Sequence, residues 1–425
     1  MWFNGRTSAF QADDTGSIPV TRCLKTPCSR GFLMSTNTNA NISIGTIPAA
    51  NFHDYRIDVM FDGYKWDLQA GEQSTITDKA ILLDRQTADY LANTAVSLYH
   101  ETVAMEHALK ARIDLVKQTG ISANMANALC ACNYNPDKHI RLMRFDFHPT
   151  AKGWRISEVN SDVPAGYPEA SILPNLAEKY FDGYSQYGNF GDVWAGRLAK
   201  LAPQGSTIAY LHDTHTVEDY QILHFLGDLM EQRGYSSIYT DPAQIKWSNN
   251  QATGIGAIMR YYPVEWLEFH KDTCWLNFVN AATPSCNHPI ALLAQSKRLP
   301  VIWDELGVNI PLWKALLPKT ACATKLRRKR GWILKPAFGR VGEGINIPGT
   351  ISAEEGIEIV QAAKSQPTQW VAQKMFKSLP VSGLHIVLGV FVVNGQFAGL
   401  FGRTSARPRI DADASEVPVL VNFER

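Results

Sequence analysis

A mixed α/β fold is predicted by three observations along the chain. Between Gly205 and Tyr239, an apolar strand run (Ser206 to Leu211), an amphipathic helical stretch (Val217 to Arg233, closed by Gly234) and a second strand run (Ser237 to Tyr239) follow one another, the βαβ pattern of a parallel sheet. Residues 139–160 alternate with a period of two on either side of Pro149-Thr150-Ala151-Lys152-Gly153, the pattern of an antiparallel hairpin. Near the C-terminus, the runs His385 to Val393 and Phe397 to Gly402 flank Asn394-Gly395, a strong two-residue turn signal. Parallel and antiparallel sheets in one chain give the α/β (α+β) class, and 425 residues suffice for two or three domains.

The remaining elements follow in order. Gly16-Ser17-Ile18-Pro19-Val20-Thr21-Arg22 reads like the translation of the T-arm and 3′ end of a tRNA gene. Residues 1–33 are therefore expected to be an upstream extension of the reading frame, with Met34 as the start; they lack the apolar core of a targeting peptide. Residues 35–48 are polar and β-branched, expected as an irregular lead-in. From Asp84 to about Lys117, leucine, alanine and valine recur at helical spacing, with Asp84 or Thr87 as the cap. Asp162 to Gly166 is a loop, and Pro168 to Tyr180 a short helix. Ile255 to Tyr261, Pro300 to Trp303, Gly331 to Pro336 and Gln369 to Met375 read as strands, and Gly356 to Lys364 as a helix.

Composition narrows the function. Forty-one basic residues face forty acidic ones, so no net field favours nucleic acid or an anionic membrane. No apolar run approaches the roughly 18 residues of a membrane span. Seven scattered cysteines, with Cys130-Ala131-Cys132 lacking a partner pair at zinc spacing, fit a reducing cytoplasm. The run Lys325 to Arg330 reads as a solvated turn before a strand, and His212 and His215 as polar surface.

Two segments carry chemistry. In the hairpin, Arg144 and Asp146 share one face, while Met143, Phe145 and Phe147 take the other, toward a core. Glu158 and Asn160 share a face of the return strand, and a hairpin centred near the turn sets Arg144 opposite Glu158. Oxygen ligands, without cysteine or clustered histidine, suit Mg²⁺ shared with substrate phosphates. A surface hairpin with ordinary cross-strand ion pairs has the same spacing. In the second segment, Gly339, Gly342 and Gly344 fall within six positions, so backbone N–H groups can approach an anion. Arg340 adds a bidentate phosphate partner and Lys335 a point charge. This is neither a Walker A loop nor a dinucleotide fingerprint, and a plain turn has the same composition. Arg403 ends a strand beyond the Asn394-Gly395 turn.

Arg144-Phe145-Asp146-Phe147, then Glu158-Val159-Asn160-Ser161-Asp162, then Lys335-Pro336 leading to Gly339-Arg340-Val341-Gly342, then Arg403, resemble in this order the synthetase domain of the glutathionylspermidine synthase family. The similarity runs from about Asn51 to the C-terminus. It implies a circularly permuted ATP-grasp fold with an inserted βαβ, pre-ATP-grasp-like substrate domain. The implied division is residues 34–200 for the helical segment and metal hairpin, 201–305 for the inserted domain and 306–425 for the nucleotide-binding part. No amidase part is expected.

By the resemblance, Arg144 is catalytic and stabilises an acyl phosphate and tetrahedral intermediate. Asp146, Glu158 and Asn160 match magnesium ligands. Lys335, Arg340 and the glycines Gly339, Gly342 and Gly344 match the phosphate loop, and Arg403 a further phosphate-side arginine. Lys314, in Trp313-Lys314-Ala315-Leu316-Leu317-Pro318, is similar to the family's nucleotide lysine, though asparagine precedes the lysine there. Gln373, Lys374, Met375 and Phe376 lie where the adenine hinge runs, and Glu218 and Asp219 near an acidic pair that receives a polyamine. The implied cofactors are ATP and two Mg²⁺. The implied substrates are a small carboxylate, which includes peptides, and an amine, joined as an amide. Two rivals stay open: a nucleotide-binding scaffold without ligase activity, and a carboxylate-metal hydrolase that would need neither Lys335, Arg340 nor Arg403.

Overall fold

The computed structural model describes residues 42–423, apart from 67–68, 71–72, 327–329, 341 and 343. The upstream extension expected over residues 1–33, and Met34, lie outside these. The described residues fall within one compact unit, Thr36–Arg425.

The chemistry is carried by a five-stranded antiparallel sheet ordered Ser415–Val417, Gln396–Ser405, His385–Val393, Leu142–Thr150, Gly153–Asn160. Period-two alternation gives it two faces. Met143, Phe145, Phe147, Ile156, Leu388, Val390 and Val392 all enter one core cluster. Burying each such side chain contributes about 1.5–3 kcal/mol. The helix Arg85–Lys110 closes that core with Ala88, Leu91, Ala95, Leu98, Met105 and Leu109 at steps of three, four and seven. Asp84 caps it, accepting from the Thr87 backbone N at 2.7 Å. Asn394 (φ 46°) and Gly395 (φ 76°) form the left-handed pair that a tight hairpin turn requires.

The βαβ expectation holds. Ser285–Cys286, Ala257–Arg260, Thr207–Leu211 and Ser236–Thr240 form a parallel sheet in that order, with the helix Val217–Glu231 as crossover. A smaller antiparallel sheet, Thr320–Cys322, Trp370–Lys374 and Trp332–Pro336, carries Lys335 and Gln373. The helix Ala353–Ser365 covers it, capped by Ser352.

Four expectations change. Residues 35–48 include a real strand, Ile42–Thr46, paired antiparallel to Lys79–Asp84. Pro300 to Trp303 is helical, Leu299–Ile302 running into a 3₁₀ turn, because proline sits in the first turn, where its missing N–H costs nothing. The helix expected from Pro168 to Tyr180 is limited to Leu173–Glu178. Finally, the hairpin register is displaced: Arg144 pairs with Asn160 and Asp146 with Glu158. The turn is tight, with Thr150 opposite Gly153, and a bulge at Asp146/Phe147 inserts Ser157 into the return strand.

Candidate active site

Arg144 and Asp146 project from one face of the Leu142–Thr150 strand and pair bidentately, Nε to Oδ1 at 2.8 Å and Nη2 to Oδ2 at 3.0 Å. Arg144 Nη1 donates to Ala165 O at 2.6 Å, and its guanidinium lies 4.9 Å from the centre of the Phe401 ring. Asn160, cross-strand from Arg144, donates Nδ2 to Asp146 Oδ2 at 2.9 Å. Its carbonyl oxygen is thereby left for another partner. Glu158, beside Asp146, pairs with Lys297 at 3.0 Å. Lys297 also donates Nζ to Gly339 O at 2.6 Å, and its backbone N to Ala337 O at 2.9 Å, tying the segment before Arg298 to the start of the glycine-rich loop.

Lys335 enters from the smaller sheet and donates to Ser157 O at 3.4 Å. The bulge that inserts Ser157 thus also brings the three sequence motifs together. Burial pulls the Lys335 ammonium down to about 8; Glu158 opposes that shift and Lys297 adds to it. Burial alone would raise the Glu158 carboxyl, but Lys297, Lys335 and Arg144 outweigh it and hold the group below its usual value. Beside this group opens a small cavity of about 40 Å³, with Met105, Trp303, Trp313 and Leu317 on its apolar wall and Glu158, Lys297 and Gln373 on its polar one. Gln373 is buried; its Nε2 donates to Thr320 Oγ1 at 3.0 Å while Oε1 has no partner.

The remaining expected residues are spread over the surrounding segments. Lys374 is exposed and Met375 is 40% exposed, at the end of the Trp370–Lys374 strand, while Phe376 packs 5.2 Å from the ring of His148. Gly342 and Gly344 both take positive φ in the loop after Lys335, and Gly342 lies against Ile410 and Asp411. Arg340 does not join Lys335; it pairs with Glu265 at 2.6 Å and sits 5.0 Å over Trp266. Arg403 donates to Asp411 O at 2.6 Å and lies across from Glu416, which pairs with the buried Lys65.

Glu218 and Asp219 occupy the first turn of the helix Val217–Glu231, at the C-terminal edge of the parallel sheet, where ligands of such sheets bind. Burial, then the charges of Glu218 and Asp213, raise Asp219 to about 7, while Arg340 opposes them. Tyr261, buried at the end of the Ala257–Arg260 strand, has Asp219 and Glu218 on one side and feels the charge of Arg144 on the other.

The family model described as glutathionylspermidine synthase pre-ATP-grasp matches residues 49–422. The chain belongs to this family. No curated protein matches it. Among solved structures, a glutathione synthetase-like effector from Globodera pallida, in its apo form, aligns over 86% of this chain and 97% of its own, with a TM-score of 0.54 at 11% identity. At that identity the likeness is one of fold: a mixed α/β, synthetase-like architecture. A candidate γ-glutamylcysteine synthetase from Methylobacillus flagellatus aligns over 78% of this chain and 88% of its own, with a TM-score of 0.40 at 11% identity. Among the described residues, no helix is long and apolar enough to cross a membrane.

In this member of the family, Lys314, like Arg340, lies apart from Lys335 and Glu158. Lys314 lies on the helix Pro311–Leu316, half-exposed and paired with Asp304 at 2.7 Å. Lys297 stands at Glu158; sequence reading missed it because Ser296-Lys297-Arg298 carries no motif of its own. Gly389 was missed too. It sits opposite Asp146 in the neighbouring strand, and a Cβ there would lie 2.7 Å from Arg144 Cδ. A lone glycine inside a strand was the available signal. Burial raises the Cys130 and Cys132 thiols, which opposes a redox role.

Proposed function

We propose that this protein is an ATP-dependent carboxylate–amine ligase that forms an amide through an acyl phosphate, on a circularly permuted ATP-grasp scaffold with the parallel-sheet segment as its substrate domain. The reading rests above all on the convergence of Arg144–Asp146, Glu158–Lys297 and Lys335, three segments distant in sequence, beside one apolar cavity. A carboxylate-metal hydrolase would not need the buried Lys335.

The residues fit a magnesium nucleotide. Among the described residues, no group of three or more His, Cys, Asp or Glu side chains is arranged to hold a metal ion alone. Two carboxylates and an amide oxygen are an incomplete shell, the kind Mg²⁺ completes with substrate phosphates and water. Asp146, Glu158 and the Asn160 carbonyl oxygen would hold the ion, and Mg²⁺ would supply charge neutralisation at the phosphate oxygens. In the protein alone, Arg144 and Lys297 balance those carboxylates. Once nucleotide charge arrives, the same cations are free to face phosphate.

From there the chain's own groups do the work by placement. Lys297 and Lys335 orient the phosphates, and Gln373 holds the base in the cavity. Arg144, fixed by Ala165 O and the Phe401 face, stabilises negative charge on the carbonyl under attack. Glu218 and Asp219 take the amine as a cation, and Asp219, raised to about 7, accepts a proton from that ammonium and so frees the lone pair that attacks the acyl phosphate. Arg340 is held by Glu265. No covalent nucleophile on the protein is required. Phosphate release from MgATP, measured across small peptides and carboxylates crossed with di- and polyamines, tests the reading. Phosphate release that requires both an acid and an amine supports it; none across the panel removes it.

A further inference from the structure

His148 follows Arg144 and Asp146 at the next period-two step on the same strand face. The motif reading stopped at Phe147 and gave His148 no role. Its side chain is buried, at 9% exposure, and its ring stacks obliquely on Phe376, 5.2 Å between centres. A backbone hydrogen bond with Ile386 holds the ring, yet Nε2 has no partner at all. A buried polar atom left unpaired is costly, and proteins keep few without a reason. Gln373 Oε1, three residues before Phe376, is likewise without a partner.

The surroundings define the chemistry of the missing partner. The charged groups felt by the ring are Lys335, Glu158 and His385. A neutral imidazole presents one donor or one acceptor at Nε2, according to its tautomer. A hydroxyl answers either, because it both donates and accepts, whereas an amino group or a phosphate oxygen answers one tautomer only. Position narrows the choice. Gln373 lines the apolar cavity where a base would lie, and Lys335 and Glu158 mark the phosphate end. His148 touches the hinge residue Phe376 on one side and feels Lys335 on the other, which is where a nucleotide's sugar would run.

We infer that His148 Nε2 hydrogen-bonds a ribose hydroxyl of the bound nucleotide, making His148 a specificity residue for ribonucleotides. This rests on the nucleotide-site reading above. Binding of a non-hydrolysable Mg-ATP analogue is compared with that of its 2′,3′-dideoxy counterpart, by calorimetry and by thermal shift, in the wild-type chain and in His148→Phe, which keeps the ring stack and removes the nitrogens. The wild type should bind the ribonucleotide on the order of tenfold more tightly. His148→Phe should bind both analogues equally, at the affinity of the dideoxy compound for the wild type. Equal binding of the two analogues by the wild type overturns the inference without touching the ligase reading, as does a preference that survives in His148→Phe. No binding of either analogue to the wild type removes both. The wild-type comparison decides the matter even if the variant fails to fold, and a water molecule as the true partner of Nε2 would show as its first negative outcome.

Discussion

Gly389, opposite Asp146 in the neighbouring strand, lies so close to the Arg144 side chain that a methyl group on Gly389 would lie 2.7 Å from Arg144 Cδ and 3.0 Å from Phe401 Cδ1. The arginine can lie flat along its strand, reaching Asp146 and Ala165 O, only because its neighbour has no side chain. Gly389→Ala should cost about 1–3 kcal/mol of stability through overpacking. It should also lower ATP-dependent phosphate release by on the order of 10²-fold by tilting Arg144. Near-normal turnover in a folded Gly389→Ala protein would show that the arginine's exact pose is unimportant.

Glu158→Ala should abolish MgATP-dependent phosphate release, a loss on the order of 10³-fold or more, while circular dichroism shows a folded chain. Lys297 loses its ion-pair partner in this variant, so a lower melting temperature is expected. Retained phosphate release would remove Glu158 from the metal site.

The two lysines make a matched pair. Lys297→Met should weaken nucleotide binding about tenfold or more, since its ammonium is buried beside Glu158 and Gly339. Lys314→Met should change little, because its pair with Asp304 is exposed and such pairs contribute about 0–1 kcal/mol. Calorimetric titration of both variants checks the assignment; the opposite order of effects would restore Lys314.

Nucleotide affinity should fall as pH rises above about 8. Burial lowers the Lys335 ammonium to about 8 in the protein alone. A bound phosphate favours the charged form and raises it, so binding takes up a proton in the window between the two values. Across that window affinity should drop by up to about tenfold per pH unit. Lys335→Arg should be flat over the same range. Affinity of the wild-type protein measured between pH 7 and 10 tests this, and a flat wild-type profile counts against phosphate at Lys335.

Asp219 should trade stability for amine binding. Its carboxyl is raised to about 7, so the stability it contributes is present at low pH and lost as pH rises through 7. Asp219→Asn should therefore raise the melting temperature at pH 8, by about a degree or two. In the wild type, the KM for the amine should rise below pH 7 as the carboxylate takes up a proton; in Asp219→Asn it should be high and independent of pH near 7. A wild-type KM that is constant from pH 6 to 8 would sink the amine assignment.

Much of the fold is written locally. The alternation through Arg144, Phe145, Asp146 and Phe147, the Asn394-Gly395 turn, the Asp84 cap and the βαβ run around Val217 to Arg233 are properties of short segments, set by steric periods and backbone preferences, and each appears in the structure close to where the residues alone put it. The same holds for the composition of the site: two carboxylates, an amide, a lysine and arginines in a recognisable order. What tertiary structure decided is which of these groups meet. The tight Thr150–Gly153 turn and the bulge at Ser157 together moved the partner of Arg144 from Glu158 to Asn160, and the bulge gave Lys335 a carbonyl to reach. Packing turned Pro300 to Trp303 from strand to helix and carried Lys297, not Lys314, to Glu158. Arg340 went to Glu265, and His148 was left with an unpaired nitrogen beside the hinge. A strand's period is fixed within a few residues. The partner of a buried charge is chosen by desolvation and shape among segments more than a hundred residues apart, and no local pattern records that choice.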